Sequence, residues 1–213
     1  MLHSRSLRMR IIAGRFRGRR LLSPEGREPR PTGDRAREAL FDILEHGPAP
    51  VRGARFLDLF CGTGAIGLEA HSRGAAEVLL IDHEPGALRL AEANHARLGA
   101  PASVRVLRRD AANLGSALEA YDVAFLDPPY GSGLAAPALA ALLEGWLAAD
   151  ARVIVELAAK EDLALPASFV LEQERRYGAA KFLILRLIQG ATAAPSGASR
   201  RLYRSRRPRP AST

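Results

Sequence analysis

The segment Asp127-Pro128-Pro129-Tyr130 carries the most pointed chemistry in the chain. Two successive prolines fix φ and remove two backbone donors, so the Asp127 carboxylate and the neighbouring carbonyls form a rigid set of acceptors. Such a set suits a planar exocyclic amino group. Accepting both amino hydrogens draws the nitrogen lone pair out of conjugation and aims it at an electrophile, while Tyr130 offers a ring for a base to stack on. A second constellation lies upstream, where Asp58-Leu59-Phe60 leads into Cys61-Gly62-Thr63-Gly64-Ala65-Ile66-Gly67. This G-x-G-x-x-G lies between a predicted strand and a predicted helix, where glycines permit a tight turn and close approach of a ligand to the backbone. Read alone, the pattern fits a packing turn as well.

Asp82, 20 residues beyond Gly62, ends the next predicted strand, where its carboxylate can accept ribose hydroxyls or cap the following helix. Asp58 separates two cofactor classes. A carboxylate four residues before the first glycine repels a pyrophosphate and suits a cation. S-adenosylmethionine, with an ammonium, a sulfonium and no phosphate, is compatible with it, and a nicotinamide dinucleotide is disfavoured. Asp110, in Arg108-Arg109-Asp110-Ala111-Ala112, can accept an adenine amino group with Ala111 supplying a backbone N–H, or can be an ordinary capping residue.

The elements that must position these groups alternate. Strands are predicted at 55–60, 78–82, 103–108, 122–126 and 152–157, and helices at 65–73, 85–98, 113–118 and 134–147. The closing strands, 169–176 and 181–188, are joined by Tyr177-Gly178-Ala179-Ala180. Short connections between alternating elements imply a doubly wound, Rossmann-like α/β sheet, mostly parallel, with an antiparallel last strand contributed by the closing hairpin. In such a sheet both motifs fall at the carboxyl edge beside the switch point, where ligands bind. Upstream, residues 8–22 read as a small N-terminal β-hairpin extension in which period 2 puts Arg15, Arg17 and Arg19 on one face. Arg30-Pro31-Thr32-Gly33-Asp34 reads as a turn before a three-turn helix. Thr32 and Arg35 are placed to meet a cofactor or a base there, or Arg35, Arg37 and Glu38 form a solvated helix face. The domain reading is therefore a basic extension over 1–30, a catalytic domain over 31–188 and a disordered basic tail over 189–213.

Charge supports a polyanionic partner. The 213 residues carry a net charge of +8, with 29 Arg and only 2 Lys. Residues 1–37 hold a net +8 and residues 189–213 a net +6, whereas residues 38–188 hold a net −6. Arg over Lys is explained by compositional drift, but drift does not explain why acids avoid both ends. One cysteine excludes a disulfide framework, the five histidines lack ligand spacing so no metal is expected, and the longest apolar run is too short for a bilayer. A cytoplasmic monomer is the expectation.

The motifs at Asp58–Gly64 and Asp127–Tyr130 resemble those of amino-group methyltransferases that use S-adenosylmethionine. Arg10-Ile11-Ile12-Ala13-Gly14 with Gly18-Arg19, the run from Arg30 to Phe41, the run from Leu68 to Ala75, and Tyr177-Gly178 narrow the resemblance. Together they are similar to the RsmD family of bacterial 16S ribosomal RNA guanine-N2 methyltransferases, over about residues 8–188. Family members commonly carry a small residue and Ser where Cys61 and Thr63 stand, and both changes are mild. The resemblance implies cofactor binding by Asp58, Cys61, Gly62, Thr63, Gly64, Asp82, Asp110 and Ala111, and catalysis at Asp127, Pro128, Pro129 and Tyr130. It implies a loop guanine of 16S RNA as substrate, presented in an assembling 30S particle, for which the charge and placement of Arg15, Arg17, Arg19, Thr32 and Arg35 make them the expected RNA contacts. Methylation of adenine N6 or cytosine N4 in DNA uses the same Asp-Pro-Pro-Tyr logic but usually needs a separate recognition region, for which little chain is left. A non-catalytic RNA-binding protein leaves Asp127–Tyr130 unexplained.

Overall fold

The computed structural model describes residues 9–24, 31–46 and 50–188, with residues 31–34 described by their backbone alone. The tail assigned to 189–213 lies outside the described residues. Strands β1 (Arg55–Leu59), β2 (Glu77–Asp82), β3 (Val104–Arg108), β4 (Tyr121–Leu126), β5 (Leu147–Ala158), β6 (Phe169–Tyr177) and β7 (Ala180–Leu187) form one sheet in the order β3-β2-β1-β4-β5-β7-β6. Neighbours from β3 through β5 are parallel, and β7 runs antiparallel between β5 and β6. The chain winds outward from β1 to β3 and then returns to β4, which creates the switch point between β1 and β4.

Alternation along the strands divides the core in two. Phe56, Leu80, Phe125, Ile154 and Phe182 face helices α1 (Pro31–Glu45), α2 (Ala65–Arg73) and α3 (Pro85–Arg97) together with Ile11 and Leu21. Leu57, Leu59, Val153, Val155 and Leu183 face helix α4 (Ala135–Leu142). Pro85 occupies the first turn of α3, and Gly74 ends α2 in the left-handed region at φ 105°, its N–H reaching the Ala70 and His71 carbonyls.

Three expected elements differ. The helix expected at 113–118 is absent because Gly115 adopts φ 63° and its carbonyl accepts the Trp146 indole N–H at 2.7 Å. The helix expected to run to Leu147 stops at Leu142. Gly145, at φ 89°, turns the chain, and Leu147–Ala151 then begins β5. A continuous apolar run does not distinguish buried helix from buried strand, and here one glycine decides. Pro31–Asp34, expected as a turn, is the first turn of α1.

Among its described residues the N-terminal arm has hairpin connectivity but only one antiparallel bridge, Arg10 with Arg20, supported by Ile11 N–H to Arg19 O and Leu21 N–H to Met9 O, each 2.9 Å. Residues 15–18 are turn, not strand, so Arg15, Arg17 and Arg19 are exposed but do not share a period-2 face. Contacts with α2 override strand geometry. The fully buried Glu69 accepts the Ile12 and Ala13 N–H groups at 2.7 and 2.9 Å and pairs with Arg73 at 2.9 Å. The Ser72 hydroxyl donates to Ala13 O and accepts the Phe16 N–H, and a Cβ on Gly14 would sit 1.9 Å from Ser72 O. At the other end, the Asn94 side chain accepts the Leu22 N–H at 2.6 Å and donates to Leu22 O and Thr63 O.

Glu69→Ala strips acceptors from two arm amides and from a guanidinium only 7% exposed. It should cost roughly 3–5 kcal/mol in urea-induced unfolding and open residues 9–24 to proteolysis. A loss below about 1 kcal/mol would show that the arm does not depend on this carboxylate.

Candidate active site

The carboxyl ends of β1, β2, β4 and β5 bring acids to one edge of the sheet. The glycine loop between β1 and α2 is held there at two points. Gly62, at φ 54°, donates its N–H to Asp82 Oδ2 at 2.9 Å, and Gly67 donates to Asp58 Oδ2 at 2.9 Å. Asp82 Oδ1 accepts the Glu84 N–H at 2.9 Å, so its carboxylate ties the loop to the entry of α3 without capping that helix at the N-cap position, which Glu84 occupies. Asp58 is 1% exposed. Burial raises its pKa to about 7, the Gly67 N–H pulls it back, and nearby Asp82 pushes it further up. Cys61 is buried in the same loop, and burial with both acids nearby pushes its thiol above the usual range, which leaves it neutral and unreactive. The Thr63 hydroxyl meets Met9 Sδ at 3.5 Å and its carbonyl accepts from Asn94, so the loop also touches the arm.

Beyond β3, Asp110 is exposed and its Oδ1 accepts the Ala112 N–H at 2.9 Å, with Ala111 buried beneath. The Arg109 N–H bonds to Asp82 O at 3.0 Å, which keeps this turn beside the glycine loop. Across the switch point, the Asp127 N–H reaches Leu59 O at 3.4 Å; Asp127 is exposed, Pro128 buried and Pro129 exposed. Tyr130 is 53% exposed and its hydroxyl donates to Glu156 Oε1 at 3.2 Å, while Gly131 N–H meets Glu161 Oε2 at 3.2 Å. Burial raises the Glu156 carboxyl above its ordinary range and the Tyr130 hydroxyl opposes that shift.

The structure thus brings Asp58, Cys61–Gly64, Asp82, Asp110–Ala111 and Asp127–Tyr130 to one edge. The predicted RNA-contact arginines are on the arm and at the start of α1. Arg15 meets His71 Nε2 at 3.1 Å near the far end of α2, roughly 10 Å of helix from the glycine loop. Arg17 and Arg35 line a cavity of about 270 Å³ with Arg10, and Arg19 is exposed. Arg37, for which a solvated helix face is one of the two readings above, is buried and donates to Arg10 O at 2.9 Å. The Thr32 side chain lies outside the described residues. Sequence reasoning missed Glu156, whose signal is a lone acid within Val153-Ile154-Val155-Glu156-Leu157, and the arm-seating pair Glu69 and Asn94.

Comparison with known proteins places the chain in a family. The family model described as Conserved hypothetical protein 95 matches residues 9–186. The chain belongs to this family. Ribosomal RNA small subunit methyltransferase D of Escherichia coli is 39% identical over 180 residues, 83% of this chain and 88% of the relative. The protein of the same name from Haemophilus influenzae is 33% identical over 177 residues, 80% and 89% of the two chains. The solved structure of yhhF from Escherichia coli superposes with a TM-score of 0.72 at 34% identity, covering 85% of this chain and 99% of that one. The family match spans both the arm and the sheet edge described above.

Asp58 supplies a pH test of this geometry. The folded chain holds its proton up to about pH 7, whereas the unfolded chain releases it near 3.8. Its contribution to stability is therefore present at low pH and is lost as pH rises from about 4 through about 7. Urea unfolding of wild type and Asp58→Asn between pH 5 and 8 should show wild type losing ground to the variant as pH rises. A difference that stays flat would contradict the burial-raised carboxyl.

Proposed function

We propose that the protein transfers a methyl group from S-adenosylmethionine to the exocyclic N2 amino group of a guanine in 16S ribosomal RNA, presented in an assembling 30S particle. The observation that carries this reading is the Asp127-Pro128-Pro129-Tyr130 acceptor array set across the switch point from a carboxylate-pinned glycine loop. Membership of a family whose relatives bear the name ribosomal RNA small subunit methyltransferase supports the substrate class.

The residues present fit the cofactor. Among the described residues Asp58 bonds through Oδ2 to Gly67, and its other oxygen suits an ammonium, whose positive charge would favour the ionised form of this buried acid. Asp82 takes one backbone N–H on each oxygen and keeps further lone pairs for ribose hydroxyls. Cys61, Gly62, Thr63 and Gly64 supply close backbone approach, and Asp110 with Ala111 suits the adenine edge. When bound, S-adenosylmethionine supplies a methyl group activated on a sulfonium.

The chain's own residues prepare the nucleophile. The base must leave its stack and enter the edge, where the half-exposed Tyr130 ring offers a stacking face. The Asp127 carboxylate and the Pro128 carbonyl accept the two amino hydrogens, which localises the nitrogen lone pair along the direction of attack. No strong base is required, because the amino proton leaves after attack, when the nitrogen is cationic. Orientation of the two reactants supplies most of the rate. The exposed arginines of the arm and Arg35 hold phosphates away from the acidic edge.

Tritiated methyl incorporation into small-subunit RNA, naked or in 30S particles, with DNA as the comparison, tests this reading. Incorporation should favour RNA, and Asp127→Ala should lower turnover by at least about 100-fold with cofactor affinity, read by calorimetry, changed only a few-fold. Equal incorporation into DNA, or wild-type turnover in the variant, would overturn it.

A further inference from the structure

Glu156 is a carboxylate that none of the cofactor or amino-group contacts uses. β4 and β5 are parallel with Leu126 opposite Val155, so Asp127 and Glu156 follow directly on neighbouring strands at the same level. They also share a face, since Phe125 and Ile154, two residues earlier on each strand, both enter the core on the α1–α3 side. The Tyr130 hydroxyl engages Glu156 Oε1, and no other hydrogen bond to this carboxylate is formed among the described residues. One oxygen is therefore engaged by the Tyr130 hydroxyl, which leaves the second oxygen to accept from a base stacked on that ring.

Resting on the methyl-transfer reading above, we propose that Glu156 accepts the N1–H of the target guanine and so selects guanine over the other amino-bearing bases. The chemistry of the base edges supports this. Guanine presents N1–H and the N2 amino group side by side, two adjacent donors that match two adjacent acceptors. Adenine and cytosine each present an amino group beside a ring nitrogen lone pair, and a carboxylate facing that lone pair is repelled.

The test compares RNA bearing guanine at the modified position with RNA bearing 2-aminopurine there. 2-Aminopurine keeps the N2 amino group but has a lone pair at N1. Wild-type kcat/KM should favour guanine by roughly 100-fold. In Glu156→Gln, Oε1 can still accept from Tyr130 while the amide N–H replaces the second oxygen and faces N1, so the preference should fall below about tenfold. Glu156→Ala serves if the Gln variant does not fold, and there too the preference should collapse, because both the acceptor and the repulsion are gone. Equal methylation of both RNAs by wild type would overturn the assignment. So would a parallel loss on both RNAs in the variants with the ratio unchanged, which is what a residue that only positions Tyr130 would give. Failure of wild type to methylate the guanine RNA overturns the guanine reading itself, and this inference with it.

Discussion

Two backbone amides, Gly62 N–H and Gly67 N–H, are held by carboxylates that the sheet delivers from β2 and β1, and much of the molecule is arranged around that anchorage. Gly67 approaches so closely that a Cβ would lie 2.3 Å from Leu80 Cδ2, 2.9 Å from Val78 Cγ1 and 3.2 Å from Asp58 Oδ2. α2 is thereby drawn down onto the sheet, and its next turns present Glu69 and Ser72 to the arm. The same bonds leave Asp58 and Asp82 each with unused acceptor capacity at the crevice. Burial of Asp58 is unfavourable for its charged form, and a cationic ligand is the natural relief.

Acids collect at the carboxyl edge, where Arg108 and Arg109 also follow β3, and arginines collect on the arm. Asp58, Asp82, Asp127 and Glu156 gather at the carboxyl edge, while Arg10, Arg15, Arg17, Arg19 and Arg20 lie on the arm along α2, joined by Arg35 of α1. A polyanion backbone is repelled by the first region and attracted by the second. On the reading proposed above, the phosphates of a strand rest on the arm while a single neutral base reaches the acids. Asn94 ties the two regions mechanically, since one amide side chain bonds both Leu22 of the arm and Thr63 of the glycine loop.

What was legible in the sequence followed from local rules. The glycine loop, Asp82 at a strand end and the Asp-Pro-Pro-Tyr exit are each written within a few consecutive residues, and the alternation of elements places them at one edge. Gly115 and Gly145 were misread because a glycine within an apolar run is silent until its φ is known. Glu69 and Ile12 are 57 residues apart, so no window shows that an acid within α2 seats the arm. Glu156 required the pairing of β5 with β4 before its position beside Asp127 became apparent.

The account makes the edge of the sheet a reader of one amino group on one base. Nucleoside analysis by mass spectrometry of small-subunit RNA, methylated by the pure protein with S-adenosylmethionine carrying a labelled methyl group, tests that most directly. The account predicts that the label appears in N2-methylguanosine. Label in N6-methyladenosine or N4-methylcytidine, or on a ribose hydroxyl, would contradict it.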